Sequence, residues 1–148
     1  GLLHDIGKFL CNQGGAMSYD RVPPEQIRPG RVHFWERKHL GYDHAQVATQ
    51  ALNLWQVAEP LPSVIGWHHN PNKGFQAGGE LATLTSVLCV ADRLDAHVDA
   101  QEELDRGVAR ELATQVPFKR LNLSSDWLSR EWTAICAAKL SLLEQVDD

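Results

Sequence analysis

The chain has 148 residues, 43% of them hydrophobic, which suits one compact domain over residues 1–148 with a sizeable core. Its 14 basic and 19 acidic residues give a net charge of −5 without a block of Lys or Arg, which argues against a nucleic-acid-binding or membrane-binding surface. The three cysteines are scattered, so we expect a reducing, cytoplasmic setting rather than a disulfide framework. No apolar run reaches the length of a membrane-spanning helix.

The first ten residues combine an apolar helical stripe with His4 and Asp5. Leucine and isoleucine recur at helical spacing at positions 2, 3, 6 and 10, which carries the imidazole and the carboxylate into a half-buried setting. Such a pair either finds hydrogen-bond partners, as a core pair or an N-terminal cap, or shares a divalent cation. Lys8 follows one turn later, where its ammonium could reach an anion held by that metal. Because the chain starts inside this pattern, we expect it to be the later part of a longer protein whose upstream helices are missing.

Glycine and proline pairs then interrupt regular structure. Residues 12–30 contain Gly-Gly, Pro-Pro and Pro-Gly pairs and predict a loop, and a short helix over residues 31–40 should follow. His33 and His39, like His97 further on, fall at loop or polar-face positions, and we expect surface roles for them.

The next helix brings a histidine to a buried face. Gly41 should end the preceding helix, and Asp43 with Gln46 has the spacing of a capping box, so the new helix should start there. His44 shares a face with the apolar residues as far as Trp55, which places its imidazole on the buried side. The alternative is a first-turn histidine that bonds a backbone carbonyl.

A pair of histidines marks the end of the following element. Pro60 and Pro62 should open a short helix that Pro71 closes, which places His68 and His69 at its C-terminal end. The two imidazoles could be metal ligands, or they could simply interact with the negative end of the helix dipole.

A carboxylate lies on the inward face of a long helix. Residues 72–79 include three glycines and predict a flexible loop that borders a pocket. A helix over residues 80–98 follows, and Asp92 falls on its apolar side, where a carboxylate must be paired.

The remaining chain predicts two more helices. One covers residues 109–116 and ends at Pro117, and the last runs from capping residues near position 124 to about residue 146. Because no segment shows sustained alternation of period two, we predict an all-α fold.

Convergence of four separated stretches would assemble a metal site. The candidate ligands are His4, Asp5, His44, His68, His69 and Asp92. Four imidazoles and two carboxylates could hold one or two divalent cations, with Asp5 as a bridge and a metal-activated water as the nucleophile for a phosphate ester. Ligands of this kind without cysteine suit Fe, Mn, Zn or Co.

Four motifs also stand in a recognisable order. They are Leu-Leu-His-Asp-Ile-Gly-Lys at residues 2–8, Gly-x-Asp-His-Ala-x-Val at residues 41–47 with Glu36 ahead of it, His-His-x-Pro at residues 68–71, and Ala-Asp at residues 91–92. The first resembles the signature of the HD superfamily of metal-dependent phosphohydrolases, and the later motifs resemble those of its HDOD branch.

This resemblance implies an HD-type helical bundle with two metal positions. One would be held by His4, Asp5 and Asp92, and the other by Asp5, His44 and His68 or His69. The superfamily's upstream histidine ligand has no counterpart here because the sequence starts at Gly1, so the first metal is one ligand short. The Gly-Tyr-Pro motif of the cyclic-di-GMP-hydrolysing relatives is missing, which argues against that activity.

HDOD domains are commonly found in bacterial signal-transduction proteins, often beside other signalling modules. We therefore expect a bacterial signalling module with one or two divalent metals that acts through a partner protein or an attached domain, without nucleic acid or membrane. The alternative is an active phosphohydrolase for a phosphomonoester, a nucleotide or a cyclic nucleotide. In that case Asp5 and Lys8 would be catalytic, with Lys8 steadying a phosphate-containing small ligand. A metal-free scaffold is a third interpretation.

Overall fold

The computed structural model describes residues 3–13, 18–27, 31–98 and 103–144. The helices are α1 (Ile6–Gln13), α2 (Val32–Leu40), α3 (His44–Leu54), α4 (Leu61–Trp67), α5 (Asn72–Ala77), α6 (Gly79–Val98), α7 (Arg106–Thr114), α8 (Val116–Arg120) and α9 (Ser125–Glu144), with a short 3-10 helix at Tyr19–Arg21. Within the described ranges there is no strand, and the prediction of an all-α fold is confirmed.

The chain divides into two compact units, Gly1–Cys89 and Val90–Asp148, and the division falls within α6. The prediction of one domain over residues 1–148 stays a prediction. In the parts of the chain that are described, no helix has both the length and the apolar character needed to cross a bilayer.

The first unit is built around the packing of α3 against α1 and α4. Its main core cluster consists of Ala48, Leu52, Val64, Ile65 and Leu88, with Ile6, Val57, Leu81 and Leu84 packed against it. At Gly7, α1 lies so close to α3 that a Cβ atom would overlap the carbonyl oxygen of His44. A residue without a side chain is therefore required where the two helices meet.

The start of α3 follows the expected capping box. Asp43 Oδ1 accepts a hydrogen bond from the Gln46 amide at 3.0 Å, and Gln46 Oε1 accepts one from the Asp43 amide at 3.2 Å. Gly41 ends α2 with a φ of 79°, in the left-handed region that glycine adopts without strain. The capping-box prediction is confirmed, and it fixes His44 as the first residue of α3.

Three helix predictions need correction. Residues 72–79 were predicted as a loop, but most of them form the helix α5. Gly74 is a glycine because its backbone packs against the side chain of Thr85, not because the segment is a flexible loop. The helix α7 begins at Arg106, where Asp105 accepts hydrogen bonds from two backbone amides. That helix ends at Thr114, before Pro117, which lies in the first turn of α8, a position where its missing N–H costs nothing.

The second unit has its own apolar core. Its buried members are Val90, Leu94, Leu104, Ala109, Leu112, Phe118, Leu128 and Trp132. The helices α7 and α9 pack together within this unit. The predicted last helix is confirmed at Ser125–Glu144, and the hydroxyl of Ser124 accepts a hydrogen bond from the Trp127 amide at its start.

Candidate metal centre

The site is centred on the fully buried imidazole of His44, whose side chain is 0% exposed. Asp5 lies in the turn before α1 rather than inside the helix, and the contact at Gly7 brings this turn to the start of α3. As a result Asp5 Oδ1 lies 3.1 Å from His44 Nε2. Two residues that are 39 positions apart in the sequence are therefore direct neighbours in the structure.

The other ring nitrogen of His44 is held by Glu36, which projects from α2 and is also 0% exposed. The carboxylate accepts from His44 Nδ1, which lies 2.7 Å from Oε2 and 2.9 Å from Oε1, and Oε2 also accepts from the His44 backbone amide at 2.9 Å. The hydroxyl of Tyr19 donates to Oε1 at 2.6 Å. With Nδ1–H bound to Glu36, the orientation of the ring is fixed and Nε2 is directed to Asp5.

Two further imidazoles approach His44 from the end of α4. His69 Nε2 lies 2.8 Å from His44 Nε2. His68 donates from Nδ1 to the Ile65 carbonyl oxygen at 2.6 Å, which leaves Nε2 as the basic nitrogen of its ring. Each of these three histidines offers a ring nitrogen, and the three nitrogens lie within 4.8 Å of one another.

The charges around Asp5 keep it ionised. Burial by itself raises the pKa of Asp5, but the hydrogen bond with His44 and the ammonium of Lys8 outweigh it and hold the pKa well below its usual value. Lys8 Nζ lies 2.6 Å from Asp5 Oδ2, and His4 Nε2 lies 3.5 Å from the same oxygen. Asp5 is therefore a carboxylate with cations or hydrogen-bond donors on both oxygens.

The histidines differ in how readily they accept a proton. Burial lowers the pKa of His44, but its bonds to Asp5 and Glu36 outweigh burial, so the pKa is raised. Burial and the neighbouring imidazoles lower the pKa of His69. His69 therefore offers a neutral lone pair, whereas His44, bonded to Glu36 through Nδ1 and to Asp5 through Nε2, must release the Nε2 proton before that nitrogen can bind a metal. Only His69 is already in the neutral form that an imidazole ligand requires.

His33 was expected at the surface, and that expectation is wrong. Only 5% of His33 is exposed, because its ring stacks on His69 with a centroid separation of 4.0 Å and an interplanar angle of 12°. Burial and the charge of Arg37 lower its pKa to about 4, so the ring is neutral. His39 is exposed, as expected, and stacks on Trp35.

The remaining expected residues have different positions. His4 is half-buried, with its ring centroid 5.4 Å from that of His68. Asp92 lies on α6 in the second unit and is half-buried, so its membership of the site stays a prediction. Asp43 is buried in an ion pair with Arg37, whose Nε donates to Oδ2 at 2.6 Å, so its role is to start α3 and not to contact the centre.

The arrangement fits a divalent cation by the chemistry of its donors. It combines three imidazoles with a carboxylate that is held ionised, and histidine with carboxylate is a common ligand set for first-row transition metals. Glu36 occupies the position of an outer carboxylate that orients a ligating histidine. Glu36 and His44 are eight residues apart and lie in different helices, so no helical repeat relates them. The sequence therefore assigned Glu36 no role beyond its place ahead of the second motif.

Comparison with curated proteins and with solved structures gave no match. The model of the HDOD domain family, in contrast, matches residues 1–71. That range contains His4, Asp5, Glu36 and all three clustered histidines, and the expected resemblance is confirmed over it. Over residues 1–71, slightly less than half of its length, this chain is similar to the HDOD domain family.

Proposed function

We propose that this chain is an HDOD-type signal-transduction module that binds a divalent cation at the histidine cluster. The observation that carries the proposal is the convergence of His44, His68 and His69 within 4.8 Å, with Asp5 in contact with His44. Three imidazoles beside an ionised carboxylate form a donor set that a divalent transition-metal ion can occupy.

The cation would be held by nitrogens of the three histidines, with Asp5 as the adjacent carboxylate. A bound Fe, Mn, Zn or Co ion would act as a Lewis acid there. Glu36 keeps the His44 ring in place through Nδ1, and the stacked ring of His33 supports His69 from the side. Glu36 and His33 therefore hold the His44 and His69 rings in place before a metal ion binds, which lowers the entropic cost of binding.

Binding, rather than turnover, is the function that the geometry favours. The alternative, a two-metal phosphohydrolase, requires Asp5 to bridge two ions and Lys8 to hold a phosphate. Here Asp5 Oδ1 lies against His44, and Oδ2 is bonded to the Lys8 ammonium at 2.6 Å. Lys8 is therefore engaged by the carboxylate itself, and the three clustered nitrogens suit one ion.

The module would act in the bacterial cytoplasm through a partner protein or an attached domain. Metal occupancy would order the turn that carries Asp5 against the ends of α3 and α4. Metal occupancy would then change the surface that this turn presents to the partner.

Metal analysis of the purified protein tests the proposal. We expect about one equivalent of Fe, Mn, Zn or Co after reconstitution under reducing conditions, and loss of that metal in the His44→Ala variant. His39→Ala is the matched control, because His39 is exposed and stacks only on Trp35. Folded protein that binds none of these metals would refute the proposal.

A substrate panel separates binding from hydrolysis. The metal-loaded protein should release no phosphate from phosphomonoesters, nucleotides or cyclic nucleotides. Release of phosphate that is abolished by Asp5→Ala would establish the phosphohydrolase instead.

A further inference from the structure

A polar cavity of about 560 Å³ lies in the second unit, between α7 and α9. Three of its six lining residues are arginines. The lining consists of Arg106, Arg110, Ser125, Asp126, Ser129 and Arg130. None of these residues belongs to the candidate metal centre or to the segment that matches the HDOD family.

The helices α7 and α9 bring the three arginines to the lining of this one space. Arg106 and Arg110 are four residues apart on α7 and therefore share one face of that helix. Between them in sequence, Ala109 belongs to the apolar core of the unit, together with Leu128 of α9. Because α7 and α9 pack together, Arg130 on α9 lines the same cavity as the two arginines of α7.

Nearby carboxylates offset part of this charge, mainly at Arg130. Asp105 uses Oδ1 to accept hydrogen bonds from two backbone amides, and Glu131 accepts from Arg130 Nε at 2.9 Å. Within the described ranges neither Arg106 nor Arg110 forms an ion pair. Asp126 is the one acidic residue of the lining, so the lining residues themselves have a net charge of +2, and the adjacent Glu131 offsets part of the charge of Arg130.

This concentration of charge contrasts with the chain as a whole, whose net charge is −5. Like charges four residues apart on a helix repel each other and destabilise it slightly. An anion placed between them would remove that repulsion and could accept hydrogen bonds from several guanidinium groups at once. The cavity therefore has the electrostatic character of an anion site.

We propose that the cavity between α7 and α9 binds the phosphate group of a small phosphomonoester. A phosphate monoester carries about −1.5 to −2 charges at pH 7, which balances the net charge of the wall. Its oxygens match the planar, bidentate donor geometry of arginine, and the hydroxyls of Ser125 and Ser129 supply additional donors. The volume falls within the range of about 300–1,000 Å³ typical of small-molecule pockets, so a phosphate with an organic substituent fits.

A ligand bound in this cavity would be a second signal to which the protein responds, in addition to the metal. The metal centre lies in the unit Gly1–Cys89, and the arginine cavity lies in the unit Val90–Asp148. This inference does not depend on metal binding, and either proposal can fail while the other holds.

Isothermal titration of the full chain tests the proposal, with a chelator present so that the metal centre cannot contribute. The probes are inorganic phosphate, adenosine monophosphate and uncharged adenosine. We expect saturable binding of both phosphates at one equivalent and no binding of adenosine. Tighter binding of adenosine monophosphate would identify an organic phosphate as the ligand, and equal affinity would identify the free anion.

Substitutions locate the site. Arg106→Gln and Arg110→Gln should each weaken phosphate binding about tenfold, because each removes a charged hydrogen-bond donor. Asp126→Asn should strengthen binding, since it removes the one opposing charge. Lys119→Gln is the matched control, because Lys119 is exposed on α8 outside the cavity and should leave the affinity unchanged.

Amide chemical shifts of the unmodified protein provide an independent measurement that does not require a variant to fold. Added phosphate should shift the amides of Ser125 and Ser129. Phosphate that fails to bind, that shifts other amides only, or that binds equally well to the Arg106→Gln/Arg110→Gln double variant would overturn the proposal.

Discussion

Replacement of Glu36 by Gln tests whether this buried carboxylate orients His44. The two side chains have nearly the same shape, so Glu36→Gln removes the charge without opening a cavity. The Tyr19 hydroxyl can rotate and accept a hydrogen bond from the new amide group, which limits the damage to the bonds with His44. What is lost is the charged character of the bonds to His44 Nδ1 and to the His44 amide.

The size of the effect follows from this geometry. Hydrogen bonds to charged groups contribute about 1.5–3 kcal/mol, so the free energy of unfolding of the metal-free protein should fall by about that amount in Glu36→Gln. Glu36→Ala should cost more, about 3–5 kcal/mol, because it leaves the buried His44 ring without its partner. For metal binding, loss of the carboxylate that orients a ligating histidine should reduce affinity about 10-fold to 100-fold.

Two measurements separate orientation of the ring from simple loss of stability. Urea unfolding of the metal-free protein gives the free energy of unfolding, and competition with a chelator gives the metal affinity. Glu25→Gln is the matched control, because Glu25 is exposed and distant in sequence from His44. Metal affinity that is unchanged in folded Glu36→Gln would refute the orienting role of Glu36.

Three further predictions concern the contacts that build the two units. Gly7→Ala should lower the free energy of unfolding by about 1–3 kcal/mol in urea titrations, because the added methyl group overlaps the His44 carbonyl; unchanged stability would contradict the close contact between α1 and α3. Asp43→Ala removes the capping box and the ion pair with Arg37, so thermal unfolding should show a loss of at least about 1 kcal/mol, and a neutral result would show that α3 does not need this cap. Leu128→Ala should destabilise the second unit by about 2–5 kcal/mol in denaturant unfolding, whereas the exposed Ser129→Ala should have little effect; equal effects would mean that Leu128 is not in the core.

Several helix boundaries could be predicted because their signals are local. The capping box at Asp43 and the glycine at position 41 act through backbone groups within a few residues, so their outcome does not depend on the rest of the fold. Trp55 shows the limit of periodicity: it continues the apolar pattern of α3 but lies just beyond the end of that helix and is more than half exposed. The helix α5 was missed because Gly74 looks like a loop residue until its close contact with Thr85 is known.

The candidate site was predicted only in part. The sequence could place His44 on an inward face and His68 and His69 at a helix end, since both statements follow from helical periodicity. It gave no indication that Glu36 would hold the His44 ring or that His33 would stack on His69. Those contacts depend on the position of α2, which no local pattern specifies.

The sequence by itself determined the helical character of the chain, the caps of its helices and the types of ligand available, because these depend on periodicity and on residues that are close together in the chain. Only the tertiary structure decided which ligands meet and which stay apart. The approach of α1 to α3 at Gly7 brings Asp5 to His44, and the packing of α2 supplies Glu36 and His33. Such contacts are set by the simultaneous packing of several helices, and that information is distributed over the whole core rather than carried by any one motif.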